Sequence, residues 1–402
     1  MMEIIAEKKA AAGGAGMGLR RAIAVGMLAG LSPVGAMAGP TIEFGEQGSL
    51  TFTYAFQGWM QYKGFTSPTD SGASTDSFLR RNRVTFSGQY NDYVGFYAQF
   101  EAGNDSKLGQ DNKSVYYRDA YVTLDYRDDL RFIVGRFKNT FSRENLEACL
   151  EPLTLDRAEV LSYTPFGGSR DTGLAVWGNL MDAHLQYRVM IADGREDEYK
   201  PKDSPRLTAR VHYSFWEPEF NYGYLGTYLG TQKVLTIGAA YDTQSDVAYA
   251  NYPSRSDIKD YKAWTVDAFM EYPAPSGVYT LSGAYFKYDT GMAFSKTPDP
   301  NLPVNSDLKG YYVKGGYMLP GKVGTGRLQF FARHEKSDYG VKTGLAEYYD
   351  QAWNGVGANY YIDGQKLKVT FEYADISFDT EHPTNPALQN YKQATLGLQF
   401  IF

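Results

Sequence analysis

The chain ends on an amphipathic stretch, Tyr391 to Phe402, which limits the possible folds more than any other feature of the sequence. Alternate residues of a strand face opposite sides, so Leu396, Leu398 and Phe400 share an apolar face that excludes Gln399. Chain ends fray unless something holds them. The last strand of an outer-membrane barrel is held, because it pairs with the first strand and puts a terminal aromatic residue at the membrane interface. The stretch therefore predicts a closing barrel strand, with the last strand of a soluble sandwich as the alternative.

The composition supports a sheet with two unlike faces. Glycine (42) and tyrosine (34) are abundant, and no run of about 18 apolar residues is present, as a membrane-spanning helix would need. An antiparallel sheet can bury one face and leave the other in water. Cys149, the single cysteine, cannot form an intramolecular disulfide.

The first 38 residues have the pattern of a secretory signal. Met17 to Arg21 is basic, Ala22 to Leu31 is apolar, and Ala36 to Ala38 is a small-x-small cleavage pattern. We expect translation to begin at or near Met17 and signal peptidase to cut after Ala38, which leaves residues 39–402 as an exported barrel domain. The removed part carries four basic and two acidic residues, so the mature chain is more acidic than the formal net charge of −6. That balance argues against a nucleic-acid partner.

From Gly48 onward, amphipathic stretches alternate with long polar segments and short turns, which is typical of outer-membrane barrels. We predict an all-β fold: a 16-stranded antiparallel transmembrane β-barrel with long extracellular loops, surrounded by outer-membrane lipid. The predicted strands are 49–63, 78–90, 93–101, 116–126, 130–138, 173–180, 183–192, 205–216, 233–243, 261–272, 278–289, 309–319, 327–336, 351–362, 365–378 and 391–402. Residues 217–231 are interpreted as a long periplasmic turn. Phe400 and Phe402 are the predicted assembly signal.

Asn139 to Arg170 is the longest interruption of the strand pattern. Long structureless loops are usually functional, and this one mixes charges with apolar residues that need cover. It is the third long loop, and we expect it to fold inward and narrow the lumen, with a short helix within 143–150. The alternative is a surface loop that packs on a neighbouring subunit.

Strand parity predicts which charged side chains face the lumen, where they would set ion selectivity. The densest basic site is Arg80 to Arg83; parity places Arg81 and Arg83 inside and Arg80 outward near the rim. The candidate pore-lining residues are Arg80, Arg81, Arg83, Glu101, Asp119, Arg131, Arg143, Glu144, Arg157, Arg188, Arg206, Arg210, Arg333, Lys366 and Lys368. We expect these groups to lie in a water-filled lumen and keep their hydration.

Catalysis has little support in the sequence. No nucleophile elbow, P-loop, HExxH or CxxC motif is present, so we expect no enzyme, no catalytic residue, no cofactor and no metal. A surface lipase or protease would need a nucleophile beside a histidine, and His334 has no recognisable partner. A barrel that encloses a partner protein remains a third alternative.

Several short motifs follow one another in a specific order: FLRRNRVTFSG at 78–88, GFYAQFE at 95–101, DAYV at 119–122, VGRFK at 134–138, FSRENL at 141–146, Asp156-Arg157 and DTG at 171–173. In that order they resemble the phosphate-selective porin O and P family of Gram-negative bacteria. The resemblance implies a homotrimeric outer-membrane porin whose third loop enters the lumen and whose arginines and lysines guide small anions or polar solutes. Arg80 and Arg81 match the paired arginines of the family's second strand. Gly58-Trp59 departs from it, because phosphate-specific members place an arginine after that glycine, so a non-specific or weakly cation-selective pore stays open.

Overall fold

The computed structural model describes residues 39–64, 72–102, 114–158, 169–195, 200–251, 254–291, 307–339, 348–385 and 388–402. The predicted signal segment, 1–38, and part of the third long loop, 159–168, lie outside these residues. The described elements are strands joined antiparallel to their neighbours along the chain, and one short helix. Within the described residues, no helix has the length and apolarity needed to cross a membrane.

The strands are β1 Thr41–Phe44, β2 Gly48–Lys63, β3 Ser74–Gln89, β4 Val94–Ala102, β5 Val115–Arg127, β6 Leu130–Lys138, β7 Arg170–Leu180, β8 Leu185–Ala192, β9 Arg206–Ser214, β10 Val234–Asn251, β11 Ser256–Ala274, β12 Gly277–Asp289, β13 Leu308–Met318, β14 Arg327–Tyr339, β15 Gln351–Asp363, β16 Leu367–Phe378 and β17 Tyr391–Ile401. The helix, α1, is Arg143–Leu146. It begins after Ser142, whose side chain accepts a hydrogen bond from the Asn145 backbone N–H, as an N-cap residue does.

Strands β2 to β17 close into a 16-stranded antiparallel barrel, as predicted. The closing pair is β17 and β2, with Gln393 opposite Lys63 and Ile401 opposite Ala55. Leu398 on the outer face is 46% exposed, whereas Gln399 on the inner face is 2% exposed. The alternation that the last strand predicted is therefore confirmed, and each of the sixteen predicted strands has its counterpart.

Strand β1 was not predicted, and it prolongs the barrel seam. On one edge of β2, the Tyr54 N–H donates to Phe402 O at 2.9 Å. Two residues earlier on the same edge, the Phe52 N–H donates to Pro40 O at 3.1 Å. Thus β17 and β1 lie end to end along the same edge of β2. A Cβ added at Gly39 would lie 1.8 Å from Phe52 O, so only glycine fits where the two meet.

Two β-bulges change which side chains face the lumen. In β3, Arg81 is opposite Gln57 while Leu79 is opposite Gly58, which leaves Arg80 as an extra residue. In β5, Arg118 is the extra residue, because its neighbours are opposite Gln99 and Phe100. A bulge inserts one unpaired residue and bends the strand locally, which re-aims side chains relative to strict alternation.

Residues 139–158, hereafter the inner loop, cross the interior of the barrel. The Phe141 ring lies 5.7 Å from the Tyr288 ring on β12, and Leu155 packs with Trp59 and Phe78 on β2 and β3. Leu153 O accepts a 2.8 Å hydrogen bond from Asn359 on β15. The inner loop thus contacts widely separated parts of the wall.

Residues 215–233, hereafter the turn-end segment, correct the interpretation of 217–231 as a simple turn. The segment enters the lumen from the end that carries the short turns, and Tyr222 and Tyr224 are fully buried. Its backbone pairs with the inner loop, since Ala148 N donates to Tyr224 O at 2.9 Å and Gly226 N donates to Glu151 O at 3.1 Å. The physical reason is the burial of apolar surface: inside the barrel the segment's aromatic rings are shielded from water, whereas in an exposed turn they would not be.

Candidate functional site: the basic cluster beside the inner loop

Arg80 and Arg81 share one carboxylate of the inner loop. Arg80 donates from Nε and Nη2 to Asp156 Oδ2 at 3.0 and 2.6 Å, and Arg81 Nη2 donates to Oδ1 at 2.7 Å. Burial alone would raise the pKa of Asp156, but Arg80 and Arg81 outweigh it and hold that pKa well below its usual range. The expectation that Arg80 points outward is wrong, because the bulge in β3 turns it toward the inner loop.

Arg83 and Arg118 share a second carboxylate. Arg83 Nε donates to Glu101 Oε1 at 2.8 Å, and Arg118 Nη1 contacts Glu101 Oε2. Arg83 Nη1 also lies 2.7 Å from Cys149 Sγ in the inner loop. Burial would raise the pKa of the Cys149 thiol, but Arg83 and Arg81 hold it well below its usual range. The two arginines therefore favour the thiolate form of Cys149.

The third carboxylate, Asp119, receives Arg170 Nε and Nη2, both at 3.1 Å. Nearby, Lys138 Nζ donates to the carbonyls of Leu146 and Glu147 at 3.2 and 2.6 Å. We call the six cationic residues the basic cluster: Arg80, Arg81, Arg83, Arg118, Lys138 and Arg170. Five of them are arginines, which stay protonated in proteins, and these five share three carboxylates. Within the described parts of the chain, the arginines of the cluster therefore outnumber the carboxylates that they bind, by five to three.

Two further acids of the inner loop are buried and form no salt bridge with any described residue. Glu147 and Glu151 are 2% and 1% exposed, and neither oxygen of the Glu151 carboxylate has a hydrogen-bond partner among the described residues. Burial, reinforced by the Glu144 charge, raises the pKa of Glu147 to about 8. Burial raises the pKa of Glu151 to about 8 despite the nearby Lys368. Both acids are therefore largely neutral at pH 7.

Elsewhere in the lumen, most cations pair with their own carboxylates. These pairs are Arg143 with Glu219, Arg206 with Asp242, Arg210 with Asp267, Lys314 with Glu144, and Arg333 with Glu372. Arg333 also lies 3.1 Å from Glu335, so one arginine there serves two acids. These cations are therefore matched more evenly by carboxylates than the arginines of the basic cluster are.

The structure places most candidate residues inside the barrel. Arg81, Arg83, Glu101, Asp119, Arg131, Arg143, Glu144, Arg188, Arg206, Arg210, Arg333 and Lys368 are buried, and Arg157 is half-buried in the inner loop. Arg131 lies at the turn end, where it contacts Asp128 and stacks 4.6 Å from the Trp177 ring, apart from the basic cluster. Lys366 is half-exposed in the turn between β15 and β16 and does not face the lumen.

The expectation that lumen charges keep their hydration is also wrong for the described residues. The inner loop and the turn-end segment occupy the lumen, so arginines such as Arg188 (0% exposed) and Arg83 (2%) exchange water for protein partners. Buried charges persist only when paired and hydrogen-bonded. Motion of these two segments would change the solvation of the wall.

Sequence reasoning missed Arg118, Lys138, Cys149 and the whole turn-end segment. Strand parity puts Arg118 on the lipid side, and only the bulge in β5 reverses that. The aromatic content of the turn-end segment, including Phe220, Tyr222 and Tyr224, was the available signal that it needs cover.

A closed 16-stranded antiparallel barrel with an apolar outer face, and with charges gathered around an inward loop, defines an outer-membrane channel. The family model of the phosphate-selective porin O and P family matches residues 52–402. The chain belongs to this family, and it is an outer-membrane porin. Family and fold imply a channel rather than an enzyme.

Solved porins share the fold at low sequence identity. OprB of Pseudomonas putida is 12% identical with a TM-score of 0.60, over 88% of this chain and 94% of that one. An anion-selective porin from Comamonas acidovorans is 10% identical with a TM-score of 0.54, over 89% and 100%. The trimer form of OmpT from Vibrio cholerae is 12% identical with a TM-score of 0.52, over 89% and 100%. At these identities the likeness shows the fold alone.

Proposed function

We propose that this porin passes small anions, phosphate-type anions among them, along the basic cluster. The observation that carries the proposal is that five arginines share three carboxylates beside the inner loop. A lumen wall with excess positive charge and little water raises the local concentration of anions and opposes cations. The family's description and the anion-selective neighbour support the same assignment.

A weakly cation-selective or non-specific pore is the competing proposal. Arg333 favours it, because this one arginine is shared by two carboxylates, those of Glu335 and Glu372. Selectivity then depends on which wall lies along the narrowest passage. A barrel that encloses a partner protein is less favoured, since the inner loop already fills the space a partner would need.

The reversal potential of the purified channel in a KCl gradient tests the proposal. An anion channel gives a potential of the sign set by chloride, and added phosphate lowers the chloride current as it occupies the same path. A potential of the sign set by potassium would contradict anion passage, and a potential near zero would favour the non-specific pore.

We also propose that the mature protein is a homotrimer in the outer membrane and begins at Gly39 after signal-peptide removal. The trimeric OmpT neighbour and the family resemblance support the assembly. Native mass measurement of the detergent-solubilised protein, with N-terminal sequencing of the same sample, tests both statements. A monomer, or a chain that retains residues before Gly39, would contradict the corresponding one.

A further inference from the structure

Tyr224 of the turn-end segment is surrounded by arginines. The ring centre lies 4.4 Å from the Arg143 guanidinium carbon, 4.7 Å from that of Arg188 and 5.3 Å from that of Arg210. The residue is 1% exposed. Guanidinium groups are attracted to the face of an aromatic ring, most strongly where water is excluded. The three arginines come from the inner loop, β8 and β9. Through Tyr224, the turn-end segment therefore contacts all three of these elements.

The Tyr224 hydroxyl occupies a position suited to an oxyanion oxygen. Arg188 Nη1 donates to it at 2.5 Å and Arg210 Nε at 3.3 Å, while His212 Nδ1 lies 2.5 Å away. A phenol that donates its proton to His212 accepts from both arginines. Convergent guanidinium donors are the groups that bind phosphate and carboxylate in proteins.

The positive charge of the three arginines around Tyr224 is only partly compensated. Arg143 forms two 2.7 Å bonds with Glu219, and Arg210 forms bonds of 2.6 and 2.7 Å with Asp267. Arg188 instead donates to Tyr222 O at 2.7 Å, and it has no carboxylate partner among the described residues. A fully buried arginine that is bound only to neutral acceptors leaves one positive charge without a counterion.

We propose that Arg143, Arg188 and Arg210 form a binding site for an oxyanion, hereafter the oxyanion seat. The Tyr224 side chain occupies this site in the structure, and a phosphate-type anion competes with it for the three arginines. Displacement of Tyr224 removes one contact between the turn-end segment and the inner loop, which leaves their backbone hydrogen bonds and the Arg143–Glu219 ion pair to join them. The seat is then a second anion site, distinct from the basic cluster, and its occupancy controls the turn end of the lumen. Its role in permeation rests on the proposed function.

Equilibrium binding of inorganic phosphate to the full-length protein in detergent, measured by calorimetry, tests the seat directly. Tyr224→Ala removes the competitor and should tighten phosphate binding about tenfold relative to the natural protein. Adding Arg188→Gln should abolish that gain, because it removes the uncompensated charge. Tyr361→Ala is the matched control: this buried lumen tyrosine bonds Gln329 at 2.7 Å, and its loss should leave phosphate binding unchanged.

Equal phosphate affinity in Tyr224→Ala and the natural protein would overturn the proposal, as would a gain that survives Arg188→Gln. If Tyr224→Ala does not assemble, Tyr224→Leu keeps most of the packing volume without hydroxyl or aromatic face, and the same results are expected. Because binding is measured without ion flow, the outcome is independent of the reversal potential. A cation-selective channel whose Tyr224→Ala variant still gains phosphate binding would contradict the proposed function and support the seat.

Discussion

Arg83 Nη1 lies 2.7 Å from Cys149 Sγ, which joins strand β3 to the inner loop at the centre of the basic cluster. The same guanidinium holds Glu101 through Nε. One arginine therefore contacts the inner loop at Cys149 and also holds the Glu101 carboxylate, and its charge favours the thiolate form of Cys149.

Replacing the thiolate changes the charge of the basic cluster by one unit. Cys149→Ala removes a negative charge next to Arg83 and Arg81, so the chloride-to-potassium permeability ratio should rise on the order of twofold at pH 7. Cys149→Asp keeps the negative charge and should leave the ratio near that of the natural protein. An unchanged or lower ratio in Cys149→Ala would show that the thiol is uncharged or away from the ion path.

Anion selectivity should decrease as the pH rises from 7 to 9. Glu147 and Glu151, each with a pKa of about 8, are mostly neutral below that pH and carry negative charge above it. Their ionisation offsets the excess positive charge of the basic cluster.

The double variant Glu147→Gln/Glu151→Gln tests the origin of that pH dependence. Glu147 faces Glu144, Lys314 and the inner-loop arginines, and Glu151 faces Lys368 and Lys138. The permeability ratio of the variant should decrease less between pH 7 and 9 than that of the natural protein. A decrease as large as in the natural protein would assign the titration to another group.

The bond between Arg143 and Glu219 should be an ion pair whose rupture costs much more stability than that of an exposed pair. Both side chains are at most 1% exposed, and two 2.7 Å bonds join the inner loop to the turn-end segment. Arg143→Met leaves a buried carboxylate unpaired, which lowers the free energy of unfolding by about 3–5 kcal/mol. Thermal unfolding of the barrel, followed by its heat-modifiable migration, measures the loss.

Two further variants test whether burial causes the stability loss in Arg143→Met. Arg127→Met breaks the exposed pair with Asp129 and should cost at most about 1 kcal/mol. Glu219→Leu added to Arg143→Met removes the unpaired charge and should restore much of the lost stability. Equal losses in Arg143→Met and Arg127→Met would contradict the burial argument.

Phe402 should matter to assembly through both its backbone and its ring. Its N–H and C=O exchange 2.9 Å hydrogen bonds with Tyr54 at the seam where β17 meets β1. Deleting Phe402 should reduce the fraction of assembled barrel in the outer membrane while export continues. Phe402→Ala keeps the backbone bonds, so an intermediate yield is expected, and full assembly of the deletion variant would refute an assembly role.

The strands were predictable from sequence because each pairs a lipid-facing apolar residue with a lumen-facing polar one, as Leu398 and Gln399 show. Which face of the barrel a single side chain points to was harder to predict. Arg80 and Arg118 are bulge residues, and a bulge depends on the register between two strands rather than on either strand alone. Lys366 was misplaced because the strand predicted over 365–378 begins two residues later, at Leu367.

The lumen partners were not predictable, because they join segments far apart in the chain. Arg143 meets Glu219, and Cys149 meets Arg83, only after the inner loop has entered the barrel. The inward path of the turn-end segment depends on the space that the inner loop leaves. The aromatic residues of the turn-end segment indicated that it is buried, but not which part of the barrel it packs against.

The central claim is that the arginines of the basic cluster set anion selectivity, and the double variant Arg80→Gln/Arg118→Gln tests it most directly. Each substitution removes a positive charge, yet Asp156 keeps Arg81 and Glu101 keeps Arg83, so no carboxylate loses its last arginine. Arg127→Gln, at an exposed turn, is the matched control. We predict that the double variant lowers the chloride-to-potassium permeability ratio by roughly threefold to tenfold while the control leaves it unchanged. A double variant with the selectivity of the natural protein would contradict the claim.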